Sequence, residues 1–115
     1  MELDKYFKMV INSLDFVSKS YDEQVSALPS FVDVPEEVVS DFENAFLLLP
    51  QLIEAQYFSF EAVASIIRLF NWVQWSIRNV GLDDLELFKS SDEWNKVREL
   101  SKIAFALCEK PNPTG

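Results

Sequence analysis

The side chains in this chain that could do chemistry are carboxylates, hydroxyls and a single thiol, because histidine is absent. Without imidazole there is no Ser-His-Asp or Cys-His nucleophile, no common zinc site and no ordinary general base near neutral pH. Cys108 falls late in an apolar helical pattern, which predicts a buried thiol rather than a nucleophile. The two glycines are Gly81 and Gly115, so no glycine-rich loop can cradle a phosphate. Carboxylate pairs remain: Glu37 with Asp41, and Asp83 with Asp84. Either could bind Mg²⁺ or move protons, but the same spacing is ordinary on a solvated helix face or at a helix start. A helical di-metal site would normally add a Glu-x-x-His motif, which this chain cannot have. The expectation is a protein with no catalytic residues, no metal and no cofactor.

What stands out is where the acids lie. Between Ser20 and Ile67 there are nine carboxylates: Asp22, Glu23, Asp33, Glu36, Glu37, Asp41, Glu43, Glu54 and Glu61. That stretch contains no Lys or Arg, and elsewhere ten acids balance ten bases. The whole net charge of −9 therefore belongs to this one segment. Segregated charge steers a partner of opposite sign and raises its association rate, whereas a merely solubilising surface intersperses both signs.

The elements that must carry these residues read as helices. Two glycines are too few for the many turns of an all-β domain, and no period-2 alternation persists for more than a few residues. At 115 residues, 49% of them hydrophobic, the chain can build one core, with a radius of gyration of roughly 13 Å. Phe7, Val10, Leu14 and Val17 form one helical stripe over Asp4–Ser18. Ser20 with Glu23 is a capping box that starts a short second helix to Ala27; a single bent helix is the alternative. Leu28–Val34 is a linker, with Phe31 and Val32 expected to tuck against the core. Pro35 suits the first turn of a helix reaching about Leu48, and Glu36 and Glu37 oppose its dipole. On that helix Val38, Phe42, Ala45, Phe46 and Leu49 make the apolar side. Glu36, Glu37, Ser40, Asp41, Glu43 and Asn44 share a polar arc about 160° wide.

Pro50 kinks that helix or starts a short one reaching about Gln56. Ser59 caps a long helix over Phe60–Val80, apolar nearly all round, which predicts the buried centre of a bundle; Gly81 ends it. After a turn or two around Leu85 and Phe88, Ser90 with Glu93 reads as a second capping box. The last helix then runs over Ser91–Glu109, its stripe Trp94, Val97, Leu100 or Ser101, Ala104 and Leu107. Lys96, Arg98, Glu99 and Lys102 read as its solvated face. The expected architecture is all-α: one helical domain over 1–110, with four to five main helices plus short connecting ones, and a flexible tail over 111–115.

The candidate partner-binding residues are Asp33, Glu36, Glu37, Asp41, Glu43 and Glu54, with Tyr57 and Phe31 as apolar anchors. Trp72 and Trp75, three apart on the long helix, are core or interface, and Arg68 could stack on Trp72. The acidity argues against binding nucleic acid or anionic membrane, and no run is apolar enough to span one. The mixed-charge start MELDKYFKMV lacks the features of a secretory leader, and one cysteine fits a reducing compartment; a cytoplasmic protein is expected.

A small, acidic, helical, histidine-free chain of this character resembles the bacterial immunity proteins. The stretches LPSFVDVPEEVVSDFENAFLLL and SSDEWNKVRELSKIA also resemble segments of small bacterial helical proteins. The resemblance implies a stoichiometric inhibitor of a cognate toxin, often a basic nuclease, held by direct contact. Two other readings compete. A nucleic-acid mimic would need phosphate-like charge over much of its surface, whereas the second half of this chain is neutral. A metal-dependent carboxylate enzyme would have to work without histidine.

Overall fold

Helix starts are set by single side chains that satisfy orphan N–H groups, and the fold can be followed from one such residue to the next. The computed structural model describes residues 2–109, which form seven helices and no strand. α1 (Glu2–Ser18) ends at Lys19, and α2 (Tyr21–Ala27) restarts on the Ser20–Glu23 box. Ser20 Oγ accepts the Glu23 N–H at 3.2 Å, and a Glu23 carboxylate oxygen accepts the Ser20 N–H at 3.0 Å. These are two helices, not one bent one. α3 (Val34–Phe46) begins on Asp33, whose carboxylate accepts the Glu36 N–H at 3.1 Å, with Pro35 in the first turn. α4 (Leu49–Glu54) carries Pro50 in its first turn, where a missing N–H costs nothing.

α5 (Phe60–Asn79) is capped by Ser59, which accepts the Ala62 N–H. It ends at Gly81, whose φ of 88° turns its N–H back onto the Ser76 carbonyl at 3.0 Å. α6 (Leu85–Ser90) starts on Asp84, and α7 (Asp92–Cys108) on Ser91, which accepts the Trp94 N–H at 3.2 Å. The Ser90–Glu93 box does not form. Ser90 is the last residue of α6 and its hydroxyl donates to the Glu86 carbonyl at 2.7 Å, so the cap falls to Ser91. The expected tail over 111–115 lies outside the described residues.

The four long helices form a bundle in which α7 packs on both α1 and α5, and α1 on α3. The α3–α5 seam is closed by rings: Phe46 and Phe70 stack 4.1 Å apart with 18° between their planes. The expectation that the Phe60–Val80 helix is the buried centre is overturned. α5 buries one side only, through Ala62, Ser65, Ile66, Leu69, Val73 and Ser76, and leaves Phe60, Ile67 and Trp75 in water. The more charged α7 takes the middle because Ser101 and Ala104, both fully buried, are small enough for neighbours on both sides. The Ser101 hydroxyl donates to the Leu14 carbonyl of α1 at 2.6 Å, a long-range tie through the core. The result is elongated, 42 × 26 × 19 Å, with a radius of gyration of 14.1 Å rather than the roughly 13 Å of a rounder body.

Several helix ends are finished by side chains from other elements. Gln24 is buried and its amide donates to the Phe16 and Val17 carbonyls, at 3.1 and 3.4 Å, at the end of α1. Arg98, expected on a solvated face, instead donates to the Phe88 carbonyl at 2.7 Å and lies 5.2 Å over the Phe88 ring. Burial holds its guanidinium below the usual arginine range. Trp94 is buried beside Phe88, at 4.9 Å, and its indole N–H donates to the Gly81 carbonyl at 3.2 Å.

Trp94 is therefore the tryptophan on which stability depends. Trp94→Ala is expected to lower the unfolding free energy in urea by about 3–5 kcal/mol, in the range for large aromatic truncations. Trp75→Ala, at a half-exposed position, should cost clearly less, about 1–2 kcal/mol.

Candidate partner-binding face

α3 sorts its side chains cleanly. Val34, Pro35, Val38, Val39, Phe42 and Ala45 are buried against the bundle, which turns Glu36, Glu37, Ser40, Asp41 and Asn44 outward. The structure thus brings Asp33, Glu36, Glu37 and Asp41 together along one exposed face. Glu43 lies at its edge, half-buried, where its carboxylate accepts from the Gln74 amide of α5 at 2.9 Å. The two ion pairs among the described residues, Lys19–Asp15 and Lys89–Glu86, are local and lie outside the acidic segment. None of its carboxylates is neutralised by a cation at salt-bridge distance among the described residues, although Asp33 caps α3 and Glu36 and Glu37 oppose its dipole.

The other expected site residues are not all part of this face. Phe31 is 87% exposed and does not tuck against the core. The Pro29–Val32 turn, closed by the Val32 N–H on the Pro29 carbonyl at 3.3 Å, turns Val32 partly inward and leaves Phe31 in solvent two residues before Asp33. It can therefore serve as an apolar contact beside the acidic face. Glu54 and Tyr57 follow the other end of α3, which is about 20 Å long. Glu54 is exposed, but Tyr57 is half-buried: its ring lies 5.3 Å from Phe7 and its hydroxyl donates to Asp4 of α1. Tyr57 acts as a latch on α1 more than as a free anchor.

Beside α3 the surface is concave. Met9, Asn12 and Phe16 of α1, with Leu28, Asp41 and Asn44, line a groove of about 540 Å³. Apolar walls with one carboxylate at the rim suit a long basic side chain, whose stem can lie on Met9 and Phe16 while its head reaches Asp41. Sequence reasoning missed this groove, because it needs α1 and α3 side by side. It also missed Leu47 and Phe60, both largely exposed; each sits in an apolar run that reads as core.

The sites proposed for chemistry have other work or none. Asp84 caps α6, accepting the Glu86 and Leu87 N–H groups at 3.0 and 3.2 Å. Glu37 and Asp41 are exposed and open to solvent. Cys108 is buried, and that burial pushes its thiol up to about 12, far from the thiolate a nucleophile needs. Among the described residues no three acidic or cysteine side chains gather as a bound metal would require, and no helix is long and apolar enough to cross a membrane. The contact of Arg68 with Trp72 is not formed; the cations that do sit over rings are Lys89 on Tyr21 and Arg98 on Phe88. Trp72 packs at the edge of the core and Trp75 is half-exposed. No protein-family profile, curated protein or solved structure matches the chain significantly.

The Tyr57 latch has a pH signature. Its hydrogen bond to Asp4, helped by burial and by the Asp4 charge, raises the phenol above its ordinary 10.0. The folded chain then holds that proton more tightly than the unfolded chain does. The stabilisation is complete below pH 10 and is lost as pH rises through the raised folded value. In Tyr57→Phe this part of the alkaline loss should vanish, measured by urea denaturation at pH 9 and above pH 10. The ultraviolet titration should lose one phenol step, displaced above pH 10.

Proposed function

We propose that this chain is a non-catalytic binding protein of the bacterial immunity type, which neutralises a basic toxin, most simply a nuclease domain, by covering it with the α3 face. The observation that carries this reading is the row of outward carboxylates on α3 with no cation at salt-bridge distance among the described residues. The helix accepts like-charge repulsion of a few tenths of a kcal/mol per pair; the Asp33 cap and the dipole offset part of it for Glu36 and Glu37, and the rest of the charge is available for an external surface. Approach of a basic partner is accelerated by the field. The groove at Asp41 and the exposed Phe31 then offer apolar contact flanking the charge, the arrangement by which short-range anchors slow dissociation. A single buried thiol suits a cytoplasmic setting.

Mimicry of a nucleic acid is the weaker reading, since the second half of the chain, from Arg68 on, carries as many bases as acids. Binding proteins of both kinds are distinguished from an enzyme by stoichiometry: inhibition should be complete at one chain per partner.

The test uses immobilised wild-type protein and the variant Glu36→Lys/Glu37→Lys/Asp41→Lys. Partners captured from the native host are identified by mass spectrometry, made recombinantly and measured by surface plasmon resonance over a salt series. The expected outcome is unchanged circular dichroism with association slowed by about 10-fold or more in the variant, and a wild-type on-rate that falls with salt. Equal association rates for both proteins would overturn the role of the α3 face.

A further inference from the structure

We propose that α5 pairs, antiparallel, with α5 of a second copy of this chain, the two helices crossing at Ala64. Phe60 is 91% exposed and Ile67 44% exposed, and Ala64 between them is exposed as well. Spaced four and three residues apart, these side chains stack in one stripe, on the side of α5 turned away from its buried residues. Apolar side chains left in water gain from any surface that covers them.

Charge selects which surface that is. Glu61 and Arg68 are exposed, lie on one flank of the stripe and are seven residues apart. Neither forms an ion pair among the described residues. At about 10 Å of helical rise they are too far apart to pair with each other. In antiparallel helices a flank meets the same flank of its neighbour. A two-fold axis at Ala64 therefore sets Phe60 over the partner's Ile67 and Glu61 beside the partner's Arg68, and repeats both contacts in reverse. The small Ala64 at the crossing lets the two backbones approach. The patch is its own complement, as a closed two-fold interface demands. The α3 carboxylates Glu36, Glu37 and Asp41 take no part, so this inference does not rest on the partner-binding reading.

Sedimentation equilibrium of the full chain between about 1 μM and about 1 mM reads the dimer directly. The expected result is a monomer–dimer equilibrium that tightens as salt rises, because salt screens the repulsion between two chains of charge −9. Glu61→Arg and Arg68→Glu should each weaken self-association by about 10-fold or more, by opposing like charges. Mixed in equal amounts, the two variants should form a heterodimer, and the double variant Glu61→Arg/Arg68→Glu should recover the homodimer. Both positions are exposed, so circular dichroism should stay unchanged. A wild-type chain that stays monomeric throughout would overturn the proposal, as would a dimer that neither single swap weakens or swaps that fail to complement. Monomeric wild type together with a Phe60→Ser variant that no longer binds a captured basic protein would assign the stripe to that protein, and would equally overturn pairing with a second copy.

Discussion

The whole arrangement depends on how closely two helices can approach α7 at once. Ser101 and Ala104 present almost no bulk and are fully buried where α7 packs on both α1 and α5, and the Ser101 hydroxyl ties α7 to α1 by meeting the Leu14 carbonyl. With α1 placed, α3 can lie along its other side, and the Phe46–Phe70 stack closes the circuit to α5. The orientation of α3, and therefore the direction its carboxylates face, is a consequence of that chain of contacts. Larger residues at either small position would separate the helices and rotate the acidic face with them.

A second principle runs through the ends of the helices. Gln24 finishes α1 from α2, Arg98 finishes α6 from α7, and Trp94 holds the Gly81 carbonyl just beyond α5. Each closes off carbonyls that helix geometry leaves without an N–H. In each case the donor comes from a later helix, so a terminus is complete only when that helix has docked. Short helices such as α2 and α6 are marginal alone. Here they are held because other parts of the molecule need them.

Much of this was legible in the sequence, and the reasons are local. Ser20 with Glu23, Ser59 and Gly81 act within four or five residues of themselves, and the structure places each where its chemistry predicts. The all-α architecture and the buried face of α3 follow from periodicity alone. What could not be read depended on neighbours far along the chain. Hydrophobicity marked α5 as the centre, but side-chain size gave that place to α7. Phe31 read as core because of its type, and the Pro29–Val32 turn sent it outward. Ser90 and Ser91 are chemically identical caps, and only the extent of α6 decides between them. Arg98 looked like a surface base because its acceptors, the carbonyls at the end of α6, carry no sequence signal. The candidate face was half visible: the carboxylates of α3 were foreseeable as a group, whereas the removal of Glu54 and Tyr57 to the far end, and the groove at Asp41, required the tertiary fold.

The outer carboxylates of α3 form no ion pair among the described residues, while the inner side chains of the same helix hold it in place. If α3 binds as proposed, recognition and folding use separate atoms of one element. Glu36, Glu37 and Asp41 can be exchanged one at a time without disturbing a buried neighbour, and each exchange redraws the electrostatic outline offered to whatever docks there. Under the proposed function, such a helix would let binding preference change while the scaffold stays constant.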